Sequence, residues 1–415
     1  MQREGRQQRF CVIADDLTGA MDTGVGLANA GLSAIISFSS STPITSEAVV
    51  VTTDSRAESA TEAYRRVKAV GERFRDFFIY KKVDSTLRGN VAAELQALLD
   101  VTGATHAVVC PAYPAIKRTV VGGHLLVDGV PVHQTAFSRD PVSPVTRSDI
   151  VELLRAGSGI PAQNLSLEVV EHGPEHLATR IKECASRAVV IDATEERHLR
   201  CIADALVVSP ERLLPCGSGG LGAHVPPAFG YPIGNQPLPP APRGPALIAV
   251  GSRNDISIRQ LQRALDIVKP PLVRVEPGEF QTRAGRVPRA NQLAAEIVHL
   301  FQGSRVVALS SSLSDYAPQL RHTMAPILGA IVLRVLVTHQ LAGLFLSGGD
   351  VARAVCGDDG IQGLHILGDL QPGVIVGEAV GARYAGLRVI TKAGGFGNED
   401  AMVQAIAHFT QGEQI

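Results

Sequence analysis

The chain predicts an α/β protein made of two doubly wound domains, and three observations lead there. Short β-rich runs alternate with segments of helical spacing along most of the 415 residues, the rhythm of βαβ units over a largely parallel sheet. The composition is aliphatic and glycine-rich, with 45% hydrophobic residues, 4% aromatic and no Trp, which suits strands buried beneath helices. The length exceeds one ordinary core, and a Pro/Gly-crowded stretch at 231–245 separates an N-terminal domain (1–230) from a C-terminal one (246–415).

The elements follow in order. Residues 10–14 read as a strand, and 19–30 have helical spacing that ends at Gly31, a residue suited to a helix C′ position. Residues 34–38 and 48–52 are strands, 57–74 a charge-rich helix, 77–80 a strand, and the run from Val91 a helix. Further buried strands lie at 107–110 and 188–192. Between these two, Asp128-Gly129 stands between apolar runs, a hairpin signal. The proline-bearing segment 137–144 is expected to be extended, so the region reads as an excursion from the sheet that folds over a ligand. Prolines and glycines across 225–245 argue against helix or central strand and mark a semi-rigid linker. The βα rhythm restarts at 246–250, with a strand and glycine turn at 344–352 and a last clear strand at 387–390.

Composition also excludes functions. A net charge of −1 and a pI near 6.9 give no broad attraction to nucleic acid, and the scarcity of aromatics argues against base-stacking surfaces. The six cysteines form no C-x-x-C pair, and the histidines show no metal-ligand spacing. The polar N-terminus does not read as a signal peptide, and no run is long and apolar enough to span a bilayer. A cytoplasmic protein with no membrane partner is expected. The aliphatic composition is compatible with a homodimer.

The richest segment is Tyr80-Lys81-Lys82-Val83-Asp84-Ser85-Thr86-Leu87-Arg88-Gly89-Asn90, read as the turn between a strand and a helix. Strand ends of an open α/β sheet are where such folds bind ligands. Arg88 offers a planar fork and Lys82 a point charge, a combination suited to a carboxylate. Asp84 is placed to orient or deprotonate a hydroxyl. The plain alternative is that Asp84 or Ser85 only caps the next helix.

Two further strand ends are polar. Asp15-Asp16-Leu17-Thr18-Gly19 follows the first strand, and its aspartates are suited to bind a cation, orient hydroxyls or act as a base. A haloacid-dehalogenase phosphatase would need aspartates two apart on one strand face, and Leu17 takes that second place. The simpler role is again capping, by Asp16 or Thr18. Asp22 falls on the first turns of the helix that follows. Thr53-Asp54-Ser55-Arg56 places an arginine at a third strand end.

In the C-terminal half, Ser347-Gly348-Gly349-Asp350-Val351 is a glycine turn between strand and helix, where backbone N–H groups can approach phosphate oxygens. It lacks the Gly-Lys-Ser/Thr ending of a Walker loop. Companion turns occur at Gly251-Ser252-Arg253-Asn254 and at Lys392-Ala393-Gly394-Gly395-Phe396-Gly397. Three such turns in one domain suggest a nucleotide crevice. Lys392 is either a phosphate ligand or an exposed lysine at a strand end.

With these motifs the sequence resembles the four-carbon acid sugar kinase family. The carriers are Ile13-Ala14-Asp15-Asp16-Leu17-Thr18-Gly19, Lys82-Val83-Asp84-Ser85-Thr86-Leu87-Arg88-Gly89, Ser347-Gly348-Gly349-Asp350 and Lys392-Ala393-Gly394-Gly395-Phe396-Gly397. They run in the family's order from about residue 10 to the C-terminus. The resemblance implies an N-terminal sugar-acid-binding domain, a C-terminal nucleotide-binding domain and a cleft between them. It implies ATP and Mg²⁺, and transfer of a phosphoryl group to the terminal (4-) hydroxyl of a four-carbon sugar acid. Carried over, Asp16, Arg56, Lys82, Val83, Asp84 and Ser85 hold the sugar acid, with Asp16, Asp84, Lys82 and Arg88 as catalytic candidates. Ser252, Gly348, Gly349, Asp350, Val351, Gly394, Gly395 and Gly397 hold ATP. Many relatives carry Ser or Thr where Ala393 stands, which removes one hydroxyl donor to phosphate. The Ser-Gly-Gly-Asp and Thr-Lys-Ala-Gly-Gly-Phe-Gly motifs resemble the D-threonate kinase branch. The 3-oxo-tetronate and D-erythronate kinases are the alternatives inside the class, and a non-catalytic sugar-acid-binding regulator is the alternative outside it.

Overall fold

A computed structural model describes residues 8–140, 142–232, 234, 237–314 and 321–410. The chain divides into two compact units. The first takes the described residues within Met1–Ala34 and Ser46–Asn235, and the second those within Ile35–Thr45 and Gln236–Ile415.

The chain begins with β1 (Phe10–Ala14), α1 (Leu17–Asn29), β2 (Ala34–Ser37), β3 (Ala48–Thr52), α2 (Ala60–Arg73), β4 (Phe78–Lys82), α3 (Val91–Thr102) and β5 (His106–Cys110). An excursion of three short strands follows: β6 (Arg118–Val121), β7 (His124–Val127) and β8 (Val130–Pro131). Next come α4 (Ile150–Ser158), β9 (Ala162–Leu165), α5 (Leu167–Glu171), α6 (Pro174–Lys182), β10 (Ala188–Ile191), α7 (Glu196–Val208), β11 (Leu213–Gly217) and α8 (Gly219–Ala228).

The sheet of the first unit is parallel, in the order β3-β1-β4-β11-β5-β10-β9. Its strands are aliphatic on both faces because helices cover both: α1 packs on α8 and α8 on α7, while α2 packs on α3 and α3 on α4. The chain runs from β1 outward to β3 and then crosses back to β4 on the other side of β1. The ends of these three adjacent strands therefore lie side by side, where open α/β sheets bind ligands.

Three local expectations are corrected. Lys81 and Lys82 are the last residues of β4 rather than part of a turn, because the strand continues in register with β1 up to Ala14. Pro226 and Pro227 lie inside α8. Proline is tolerated there because the helix closes at once, with Phe229 N bonding to Pro226 O in a tightened last turn. Residues 136–139 form a 3₁₀ turn capped by Thr135 instead of extended chain. The hairpin signal is met, with Asp128 (φ 51°) and Gly129 (φ 78°) both left-handed, the requirement of a type I′ turn.

The second unit contains β12 (Ala246–Val250), α9 (Asp255–Ile267), β13 (Leu272–Arg274), α10 (Arg283–Leu300), β14 (Val306–Ser310), α11 (Arg321–Thr338), β15 (Gly343–Ser347) and α12 (Gly349–Val355). It ends with β16 (Gly363–Gln371), β17 (Val374–Val380), β18 (Arg388–Lys392) and α13 (Ala401–Thr410). The order β13-β14-β12-β15-β18 is parallel, and β17 and β16 add antiparallel neighbours, so the sheet is mixed. β2 pairs antiparallel with β16, Ile36 opposite Leu364, and Thr42 Oγ1 donates to Gln362 O at 2.6 Å. A strand read from the N-terminal half of the sequence thus completes the edge of the C-terminal unit. The core of this unit includes Ile248, Val250, Phe345, Ile390, Met402 and Phe409. No helix among the described residues is long and apolar enough to cross a membrane.

Candidate active site

The first site is built at the ends of β1, β3 and β4. Asp16 has extended backbone and caps α1, its Oδ1 accepting from Gly19 N at 2.9 Å. The capping role is real, but it leaves Oδ2 to accept from Arg56 Nη1 at 2.8 Å. Arg56 also grips Asp15 with Nε–Oδ2 at 2.7 Å and Nη2–Oδ1 at 3.0 Å, and Nη2 lies 3.8 Å from Asp84 Oδ1. Gly89 (φ 96°) lets Arg56 pass over it, since a Cβ there would stand 3.1 Å from Arg56 Cγ.

Arg88 turns back on its own loop. Nε and Nη2 each meet an oxygen of Asp84 at 2.9 Å, and Nη1 meets Asp140 Oδ2 at 3.1 Å. Its fork is therefore occupied by protein carboxylates. Asp84 also accepts from Thr86 N. It does not cap α3, whose N-cap is Asn90. Burial would raise the Asp84 carboxyl, but the Arg88 hydrogen bonds and the charges of Arg56 and Arg88 outweigh it, holding the group well below the carboxylate range.

Lys82 is different. It is 6% exposed, and its ammonium donates to Val83 O at 3.0 Å. No carboxylate among the described residues lies within ion-pair distance of it. The amine sits over α1, 2.7 Å from where a Cβ on Gly19 would be. Of the four cations at these strand ends, Arg56, Arg88 and Lys81 are paired with carboxylates, and Lys82 has none within ion-pair distance among the described residues. Val83 is buried, with its N–H paired to Gly217 O, and Ser85 is half-buried.

Two features here escaped the sequence reading. One is the pairing of Asp15 with Arg56, and the other is Asp140, which comes from the excursion onto Arg88, helped by the Phe137 ring 5.6 Å from the guanidinium. A fourth strand end, after β11, brings Gly219 to within 4.0 Å of Lys82 Cε, measured from its ideal Cβ. The repeated glycines at 217–220 were the available signal.

The second site gathers the three glycine turns of the C-terminal unit. An added Cβ on Gly348 (φ 110°) would be 3.3 Å from Ser252 N, and one on Gly394 would overlap Ser252 Oγ. Ser252 therefore lies between these turns, and side chains at either glycine would fill the space. Gly395 lies beside Asn254, and the 396–398 turn is pinned by Gln260 Nε2, whose two N–H groups are shared among three successive carbonyls within 2.7–3.2 Å. Asp350 is exposed and Val351 buried on α12. Lys392 is not an exposed strand-end lysine: it is 2% exposed and donates to Ser257 Oγ at 2.9 Å and Gly394 O at 3.2 Å. Burial pulls its pKa from 10.5 down to about 8. No group of three His, Cys, Asp or Glu among the described residues could hold a metal ion.

The geometry thus defines a two-site α/β protein, one site suited to a small anionic polyol and the other to phosphate. Comparison agrees: a sugar-binding N-terminal domain model matches residues 10–225, and a nucleotide-binding C-terminal domain model matches 247–402. The chain is 32% identical to a D-threonate kinase of Salmonella typhimurium LT2, over 97% of this chain and 99% of that one. It is 34% identical to a D-threonate kinase of Bordetella bronchiseptica, over 95% and 96%. It is 31% identical to a D-erythronate kinase of Heliobacterium modesticaldum, over 94% of each. A crystal structure of a Haemophilus influenzae protein shares the fold, with a TM-score of 0.80 at 21% identity over 96% of this chain and 100% of that one. The chain belongs to the four-carbon acid sugar kinase family.

Proposed function

We propose that the protein is a D-threonate kinase that transfers the γ-phosphoryl group of ATP to the 4-hydroxyl, giving 4-phospho-D-threonate and ADP. The observation that carries the reading is the pairing pattern at the β1, β3 and β4 ends. Arg56 and Arg88 are neutralised by aspartates, while Lys82 keeps an unneutralised ammonium within reach of Asp16. A carboxylate that docks on Lys82 leaves the polyol end of the molecule to the neighbouring aspartates. Relatives named D-threonate kinase support the choice of acid.

Phosphoryl transfer depends chiefly on positioning and charge neutralisation. Asp84 is engaged on both oxygens by Arg88 and serves to hold the two arginines. Asp16 accepts one hydrogen bond on each oxygen and keeps lone pairs free, so we assign it the hydroxyl proton. Ser252 and the Gly348, Gly349, Gly394, Gly395 and Gly397 turns would surround the nucleotide phosphates, with Asp350 and Val351 on the adjoining helix. Lys392 would supply positive charge. No group of three His, Cys, Asp or Glu among the described residues could hold Mg²⁺ by itself; bound with the nucleotide, Mg²⁺ would neutralise charge developing on the transferred group.

The test is ADP release with D-threonate, L-threonate, D-erythronate and 3-oxo-tetronates. D-threonate should give the highest kcat/KM. A higher value with D-erythronate or a 3-oxo-tetronate would move the assignment within the family, and no turnover with any of them would end it.

A further inference from the structure

Lys81 and Lys82 are neighbours on β4, so their side chains leave the strand on opposite faces. Lys82 reaches the site. Lys81 is fully buried, and its ammonium lies 2.7 Å from Oε2 of Glu94 on α3, itself fully buried. Among the described residues that ammonium is the only partner of Oε2, so each charge depends on the other. Core stability does not demand such a pair, because apolar residues of similar volume often serve as well or better.

The pair instead ties three strand ends together. Lys81 Nζ donates to Lys82 O at 2.9 Å, at the end of β4, and to Ile13 O at 3.3 Å, near the end of β1. Glu94 Oε1 accepts from Ser55 Oγ at 2.5 Å, beyond the end of β3. Ser55 Oγ lies 2.7 Å from Thr53 Oγ1, which donates to Ala14 O at 3.0 Å. The N–H groups of Ser55 and Arg56 both donate to Asp15 O, at 3.1 and 3.3 Å. A continuous buried network therefore runs from Lys81 to the residue next to Arg56, whose guanidinium bridges Asp15 and Asp16 and faces Asp84.

We infer that Lys81, Glu94 and Ser55 are positioning residues of the sugar-acid site. Their network fixes the β1, β3 and β4 ends against one another, and with them the placement of Arg56 relative to Asp16 and Asp84. The inference rests on the kinase reading above.

The test uses the full chain and three variants: Glu94→Gln, the double variant Lys81→Met with Glu94→Leu, and Ser55→Ala. Thermal unfolding, kcat, and KM for the sugar acid and for ATP are measured for each beside the wild type. Glu94→Gln strands a buried ammonium and should lower the unfolding temperature. The double variant removes both charges and should regain that temperature, yet its kcat with the sugar acid should stay down by ~10²-fold, the scale of a misplacement of about 1 Å, with KM for ATP unchanged. Ser55→Ala keeps the ion pair and should fall in the same direction by about tenfold. Full activity in the double variant would mean that the pair only balances its own charges, and would overturn the inference. Wild-type kinetics in Ser55→Ala would overturn it too, even where the double variant does not fold. A wild-type chain without sugar-acid turnover would overturn the kinase reading itself and the inference with it.

Discussion

If Lys392 serves the nucleotide phosphates as proposed, nucleotide binding should depend on pH. Its ammonium is buried among Ser257, Ser347 and the Gly394 carbonyl, at 2.9, 3.5 and 3.2 Å, and desolvation brings its pKa to about 8. If the protonated amine binds the nucleotide phosphates, nucleotide affinity must follow its protonation. With a pKa near 8, about nine in ten molecules are protonated at pH 7 and about one in eleven at pH 9, so affinity should fall roughly tenfold between them. Phosphate ionises near pH 6 and adds little to the slope in this range. Calorimetric titration with ADP at fixed Mg²⁺ should show this fall, and Lys392→Met should bind more weakly with no such slope. Unfolding driven by this residue cannot imitate the effect. Its folded pKa lies below the ordinary 10.5, so between about 8 and 10.5 the unfolded chain holds the extra proton and this group makes folding more favourable as pH rises. A wild-type affinity that stays flat from pH 7 to 9, or a slope that survives in Lys392→Met, would refute the assignment.

The other predictions concern the sugar-acid site. Asp16→Asn should lower kcat by ~10²–10⁴, the range for a lost proton acceptor, in a steady-state assay; near-full turnover would remove Asp16 from that role. Lys82→Met should raise the sugar-acid KM by roughly ten- to a hundredfold, as for a lost charge-assisted hydrogen bond, and leave the KM for ATP unchanged. Gly19→Ala adds a Cβ 2.7 Å from both Lys82 Nζ and Asp16 Oδ1. It should keep the helix, whose propensity favours Ala by up to ~1 kcal/mol, while raising the sugar-acid KM. Asp84→Asn should destabilise the fold at neutral pH. Because Asp84 is held below its ordinary 3.8, its contribution is present above that value and lost as pH falls below it, so the gap in unfolding temperature should close in acid.

The sequence disclosed strand ends better than side-chain partners. Alternation of aliphatic runs with helical spacing located β1, β3 and β5 to within a residue, because parallel strands buried on both faces leave a plain hydrophobic signal. The polar residues after β1, β3 and β4 were legible as a cluster, since the structure brings those three strand ends side by side. Local patterns do not encode pairing across the sheet. Nothing near Ile36 announces that it lies opposite Leu364, since backbone pairing carries no residue code of its own. The same limit hid the pairings of Asp15 and Asp140, whose partners stand 41 and 52 positions away in the sequence. Pro226 and Pro227 misled for a different reason: proline disfavours a helix interior, but these two fall in the final turn of α8.

That difference in legibility changes the chemistry. The residue types alone suggest a cationic wall in which Arg56, Lys82 and Arg88 share the grip on a carboxylate. The structure instead commits both arginines to aspartates, so a second carboxylate arriving at either would have to displace a bidentate pair already in place. Lys82 carries no such debt, and its position over Gly19 puts its charge at the start of α1, where backbone N–H groups also favour an anion. On the proposed reading the arginines would hold Asp84 and Asp16 in fixed orientations, so that a polyol would meet rigid acceptors rather than mobile ones. On this argument Arg56→Lys is not a conservative change. It keeps the charge but loses the fork that spans Asp15 and Asp16 at 2.7, 3.0 and 2.8 Å. Its kcat should fall well before its affinity for the sugar acid does. A variant in which affinity collapsed and kcat survived would return Arg56 to direct substrate contact.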